Sequence, residues 1–224
     1  MFTDRLLVTL TSPSSGATIR YTLDGSEPDV TSPTYLAPLA MDRTTTVKAR
    51  AFAPSLDDSF VATATFTKVA PHQPAVVDRA SLAPGLACRL YEGEWRKLPD
   101  FDALTPARSL VVPTVSLPAD RPKDRFGLVC NGFLSVPADG LYTLALRAED
   151  GAELRVNGER VILEDGIDFM ARRTELALGA GLHPIEVRYF QRDFVAGLEL
   201  HMDGPDAPLA LVPAERMFHL LDGR

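Results

Sequence analysis

The triplet Glu149-Asp150-Gly151 sets two adjacent carboxylates at the end of an alternating run, where a cation or a hydroxyl-bearing ligand is able to reach them. Oxygen-rich clusters suit calcium, a hard cation that takes about six to eight oxygen ligands, and such an ion can bridge to sugar hydroxyls. The same residues have a plainer use, because an Asp beside a Gly commonly hydrogen-bonds the backbone of its own loop. A second acidic group, Glu164, Asp165 and Asp168 in LEDGIDF, reads as a solvated loop with Asp165-Gly166 as its turn. Further on, Gln191-Arg192-Asp193-Phe194 closes a strand and opens another loop. Arg192 is suited to paired hydrogen bonds with a sugar or sulfate, and Phe194 to stacking on a pyranose face, with Asp193 between them. Trp95, the sole tryptophan, reads as packing near an early strand.

Catalysis has little to stand on. Glycoside hydrolysis needs two carboxylates about 5–9 Å apart across a cleft, one of them with a raised pKa. Carboxylates are abundant here, but none sits in an apolar run that would raise its pKa. His72, His183, His201 and His219 are far apart in the sequence, and there is no GxSxG, HExxH or phosphate-cradling glycine loop. Binding is the better reading.

The elements that must hold these residues are strands. Tyr142, Leu144 and Leu146 alternate with Thr143, Ala145 and Arg147, the period-two pattern of a strand with one buried face. After the acidic pair the pattern resumes at Leu154 and Val156, and Asn157-Gly158 then predicts a type I′ hairpin turn, which requires positive φ at both central positions. Ile185, Val187 and Tyr189 form a further inward-facing set, as do Leu198, Leu200 and Met202. Strands are predicted over 171–178 and 184–190, with Gly179 to Gly181 as the turn between them. Residues 4–68 carry five shorter runs, at 5–11, 17–23, 34–36, 45–52 and 59–68, separated by the turn clusters SPSSG, DGSEPDVTSP and APSLDD. Residues 70–83 lose the alternation and form a short docked linker, with Val76 and Val77 offering apolar surface to bury.

The bulk composition agrees with two all-β domains. The chain has 224 residues, 46% hydrophobic and 24% charged, with 18 prolines and 15 glycines set between short runs. A net charge of -7 argues against nucleic-acid or anionic-membrane partners, which need a basic field. No apolar run reaches the ~18 residues of a membrane span. A strand pattern already runs by residue 6, an abrupt start that suggests an excerpt of a longer chain. Cys88 and Cys130 occupy inward positions of two runs, where two buried thiols are the plainer reading and a disulfide is the alternative that the sequence leaves open.

Two family resemblances sharpen these expectations. TIRYTLDGSEP, SPTYLAPL and TTTVKARAF resemble the small immunoglobulin- or fibronectin-III-like sandwich found at the C-terminal side of chitobiases and β-hexosaminidases, also called a fibronectin-III-associated domain. GLYTLALRAEDGAELRVNG and GLHPIEVRYFQ resemble the PA14 domain, an antiparallel β-sandwich of secreted glycosidases, adhesins and toxins. The resemblances imply domains at 1–69 and 84–224 on either side of the 70–83 linker. Their succession resembles the C-terminal accessory region of an exported bacterial β-N-acetylhexosaminidase or related glycosidase. That implies a non-catalytic module, outside the cell or in the periplasm, with glycans and a parent catalytic domain as partners. A spacer that binds nothing, or an adhesin-like module acting alone, are the other roles open to it. In sugar-binding PA14 domains of yeast adhesins, two consecutive aspartates joined by a cis peptide hold calcium, and the calcium holds the sugar. The matching pair here is Glu149-Asp150, so the resemblance implies calcium at these two residues and glycan at Glu149, Asp150, Arg192, Asp193 and Phe194. Glutamate in place of the first aspartate changes the reach of that carboxylate. His183, in GLHPI, belongs to the family pattern as a structural hydrogen-bonder.

Overall fold

The computed structural model describes every residue except 55, 168, 169, 206 and 222–224. The chain divides into two compact units, Met1–Ala70 and Pro71–Arg224.

The first unit pairs β1 (Leu6–Val8) with β3 (Leu39–Met41), and orders β2 (Thr18–Thr22), β4 (Thr45–Phe52) and β5 (Ala62–Phe66) in a second sheet. Its core is small: Phe2, Val8, Met41 and Val47 are buried, with Leu6, Leu10, Leu39 and Phe66 packed against them. The strand expected near 34–36 is a single bridge from Thr34 to Arg20, and the ladder forms instead at Leu39–Met41. Pro33 and Pro38 flank the displaced stretch, and a residue without an N–H cannot extend a ladder. The acidic turns are self-contained. Asp24 accepts hydrogen bonds from the backbone and hydroxyl of Ser26, and Asp29 from those of Thr31 and Ser32.

In the second unit the peptide first docks along β-structure. His72 N–H donates to Ala177 O (2.8 Å) and Ala75 N–H to Leu182 O (2.7 Å). Val76 is fully exposed, so the burial expected of it does not occur; backbone hydrogen bonds hold this segment instead. There follow β6 (Leu82–Pro84), β7 (Leu86–Glu92), β8 (Arg108–Val112), β9 (Phe126–Val136), β10 (Gly140–Glu149), β11 (Ala152–Val156), β12 (Glu159–Glu164), β13 (Met170–Leu178), β14 (Gly181–Gln191), β15 (Gly197–Gly204), β16 (Ala207–Leu211) and β17 (Met217–Leu220). One sheet runs β13-β10-β15-β16. The larger runs β12-β11-β14-β9-β17-β6, with β7 also on β9 and β8 on β7. A single core joins the two sheets, filled by Tyr142, Leu144 and Leu146 from one and by Leu128, Val187 and Tyr189 from the other. Full burial of each such side chain is worth about 1.5–3 kcal/mol, which makes this interface the main source of stability.

Local chemistry agrees with the strand pattern. Asn157 and Gly158 have φ of 53° and 82°, as a type I′ turn requires. His183 is buried on the neighbouring strand, where Nε2 donates to Gly179 O (2.8 Å) and Nδ1 faces the Asn157 amide (3.1 Å). The turn residue and the histidine therefore brace one another.

The cysteines correct the sequence reading. Cys88 and Cys130 are directly opposite each other on β7 and β9 and form a disulfide, with Cα atoms 4.0 Å apart. Their alternation positions were inward as expected, but only the non-local register brings them face to face.

Two outcomes follow from this architecture. Reducing the disulfide, or replacing both cysteines by serine, removes a crosslink of sequence separation 42. Chain entropy then predicts a loss of about 4 kcal/mol, read as a shift in urea midpoint with and without reductant. Thiols that titrate in the unreduced, denatured chain would contradict the pairing. A second test isolates the hairpin: a Cβ on Gly158 would meet nothing within 4 Å, yet φ is +82°. Gly158→Ala is expected to cost about 1–2 kcal/mol from backbone conformation alone, whereas an unchanged urea midpoint would argue against the I′ turn.

Candidate functional site

Two chain crossings build the site. β10 belongs to the smaller sheet and β11 to the larger, so residues 150–151 carry the chain from one sheet to the other. β14 and β15 are likewise in different sheets, so residues 192–196 make a second crossing. Both crossings lie at the same end of the sandwich, because Glu149 pairs with Gly197 and Ala152 with Tyr189. Gly151 is fixed by close approach: a Cβ there would stand 2.4 Å from the Phe190 ring and 2.9 Å from Glu164 O.

Hydrogen bonds stitch the crossings together. Asp150 N–H donates to Phe190 O (3.3 Å), and Phe190 N–H to Gly151 O (3.0 Å). The buried Asp150 carboxylate takes the Arg192 N–H through Oδ2 at 2.6 Å. Asp150 therefore does serve a loop backbone, but that of the other crossing rather than its own turn. The Glu149–Asp150 peptide bond is cis.

Beneath them lie two fully buried polar side chains, Tyr189 and Gln191. The Tyr189 hydroxyl contacts Glu149 O and, at 2.6 Å, Gln191 Oε1. Gln191 Nε2 donates to Asp193 O (2.8 Å) and Val195 O (3.3 Å), which fixes the course of the second crossing. Burial, followed by the charge of Asp150, pushes the tyrosine hydroxyl well above its usual range, so it remains a neutral donor.

The rim is a charged network. The Arg192 guanidinium lies 3.4 Å from Asp193 and 3.7 Å from Glu94, and Arg125 lies 3.4 Å from Glu94 and 3.8 Å from Asp193. Two further loops join it through the backbone, as Arg125 N–H donates to Arg192 O and Gly93 N–H to Arg125 O. Phe194 stands out from this rim at 86% exposure, with φ of 71°, and Val195 beside it is 71% exposed.

The five residues singled out in the sequence therefore gather at one end of the second unit. Asp150 is buried, Glu149, Arg192 and Asp193 are half-buried, and Phe194 is exposed. The second acidic group does not join them as a ligand set. Glu164 pairs with Arg172 (2.6 Å), Asp165 accepts the Leu98 N–H (2.6 Å), and Asp168 lies outside the described residues. Asp165 thus anchors a neighbouring loop, beyond the solvated turn expected of it. Trp95 packs edge-on to Phe101 at 6.0 Å and lies over Gly93 and Gly127, a packing role as expected. Tyr189, Gln191, Glu94 and Arg125 were not picked out. For Tyr189 a signal existed, since a tyrosine at the last inward position of an alternating strand carries a hydroxyl into the end of the core.

The calcium that the resemblance implies would be held by the Glu149 and Asp150 carboxylates on either side of the cis peptide bond. Among the described residues no group of three or more His, Cys, Asp or Glu side chains is gathered to hold a metal. Four oxygens at the crossings accept hydrogen bonds from the chain: Asp150 Oδ2 from Arg192 N–H, Glu149 O from Tyr189, and the carbonyls of Asp193 and Val195 from Gln191.

Comparison with known proteins gives the fold its family. Residues 82–213, more than half of the chain, match the family described as PA14 domain, and residues 8–66 match the family described as Fn3 associated. No curated protein sequence matches the chain. Among solved structures, the Epithelial Adhesin 9 A domain from Candida glabrata, in complex with Galβ1-4GlcNAc, is similar at 14% identity and a TM-score of 0.57. The match covers 68% of this chain and 97% of that one. The PA14 sugar-binding domain from an RTX adhesin is similar at 17% identity and a TM-score of 0.52, covering 61% and 98%. An anti-sigma factor domain-containing protein from Clostridium clariflavum matches at 15% identity and a TM-score of 0.51, covering 96% and 91%. At these identities the likeness is one of fold. With two antiparallel sheets around one core and a family match across 82–213, the chain belongs to the PA14 domain family.

Proposed function

We propose that this chain is a carbohydrate-binding accessory module whose glycan sits on the loop end of the second unit. The observation that carries the reading is the pairing of an exposed aromatic, Phe194, with a rigid, buried polar floor made by Asp150, Tyr189 and Gln191. A ring presented outward on a loop whose backbone is held from beneath is a suitable platform for a pyranose face. Arg192 and Asp193 supply the donor and acceptor at its edge, and Glu149 and Asp150 fix the floor or contact sugar directly. The sugar ligands of the similar adhesin domains support this choice of ligand class.

The order of the two domains resembles the C-terminal region of an exported bacterial glycosidase, and the module would position such an enzyme on its substrate. A disulfide persists in oxidising surroundings, which supports an extracellular or periplasmic address. No helix among the described residues is long and apolar enough to cross a membrane. A second reading has its own observation. The first unit exposes Phe60 at 99%, Leu36 at 88% and Val30 at 65%, which suits a spacer that packs on a catalytic domain.

Calorimetric titration with N-acetylglucosamine, N-acetylgalactosamine and galactose oligosaccharides tests the first reading. Binding is expected, weakened about tenfold by Phe194→Ala, or about 1.4 kcal/mol. Asp150→Ala should weaken it at least as much by releasing the Arg192 loop, and Phe60→Ala should leave it unchanged. Absence of heat across the panel would leave the spacer as the better account.

A further inference from the structure

The crossing that carries Phe194 is held from beneath by Gln191, and side chains hold it from outside as well. We propose that Glu94 is a positioning residue of this crossing: it closes a ring of four alternating charges that ties three loops together at the rim of the site. The ring rests on contacts within the chain, and only its consequence for sugar affinity rests on the glycan reading.

Three observations converge. The first is that the ion pairs close on themselves. Glu94 sets Oε1 3.7 Å from Arg192 Nε and Oε2 3.4 Å from Arg125 Nη1, while Asp193 sets Oδ2 3.4 Å from Arg192 Nε and Oδ1 3.8 Å from Arg125 Nε. Each carboxylate thus divides its two oxygens between two arginines, and each arginine faces two carboxylates. The four residues come from the loop after β7, the loop ahead of β9 and the crossing after β14. The second observation is the backbone beneath the ring. Arg125 donates its N–H to Arg192 O (3.1 Å) and accepts the Gly93 N–H at its own carbonyl (2.9 Å), so its peptide groups stand between the other two loops. The third is conformational. Arg125 and Phe194 have φ of 59° and 71°, a left-handed backbone that residues other than glycine seldom adopt and that persists where the surroundings hold it.

Glu94 is the member on which closure depends. Arg192 and Asp193 are neighbours in the chain and stay close without it, but among the described residues no other ion pair joins the loop after β7 to this crossing. Its loop is itself anchored, since Trp95 packs on Phe101, Leu98 N–H donates to Asp165 (2.6 Å) and Asp102 pairs with Arg188 (3.0 Å). The carboxylate is therefore presented from a fixed base. An isolated surface pair contributes little, whereas in a closed network each side chain that is held helps to hold its two neighbours.

The test uses the whole chain with Glu94→Gln and Arg125→Gln, alone and combined, and has two arms. In the first, without sugar, amide hydrogen exchange is followed at Arg192 and Arg125, whose N–H groups lie under the ring, and at Val187 in the core. Glu94→Gln is expected to speed the first two about threefold at about 20 mM salt and to leave Val187 unchanged. At about 1 M salt, where charges are screened beyond about 3 Å, the difference should vanish. The double variant should gain less than the two single effects combined. Equal exchange in wild type and Glu94→Gln, acceleration that includes Val187, or strictly additive effects overturns the proposal. In the second arm the calorimetric titration is repeated with Glu94→Gln. Sugar affinity is expected to fall about threefold at low salt, and that of the wild type to approach the variant's as salt rises; equal affinity at low salt overturns the positioning role. A wild type that gives no heat removes the glycan reading by itself, and the exchange arm then still decides the ring.

Discussion

A sandwich of two sheets must carry its chain from one sheet to the other, and every crossing brings backbone polar groups to the edge of an apolar core. Each of those groups has to be hydrogen-bonded, because an unsatisfied buried one costs about 1–3 kcal/mol. In this protein two crossings, at 150–151 and 192–196, meet at one end of the second unit and satisfy each other. The Asp150 carboxylate takes an N–H of the neighbouring loop, and the Gln191 amide gathers two of that loop's carbonyls. Much of what distinguishes this end of the molecule descends from that requirement. The buried polar floor exists because the crossings need it, and it holds the carbonyls of the residues on either side of Phe194.

The same constraint separates structural from functional polarity. Tyr189 and Gln191 are fully buried and touch only the chain, so their role is to position. Phe194 touches solvent over most of its surface and contributes little to the core, so it is free to serve a ligand. Arg192 spans the two classes: its N–H belongs to the floor and its guanidinium to the rim. The rim ion pairs are at the surface, where each is worth about 0–1 kcal/mol, and they shape the edge more than they stabilise the fold.

Much of the fold was legible because it is periodic. Tyr142, Leu144 and Leu146 point inward as their spacing requires, and Asn157-Gly158 makes its turn at positive φ. What stayed hidden depends on register between distant strands. Cys88 and Cys130 each occupy an inward position, but nothing local says that β7 pairs with β9 so as to set them opposite one another. The strand at 34–36 was misplaced for a local reason, since prolines on both sides leave Thr34 only a single bridge. Within the site, the acidic pair and the QRDF loop were readable as polar groups at strand ends. Their meeting was not, because it follows from β10 and β14 lying in different sheets while ending at the same edge.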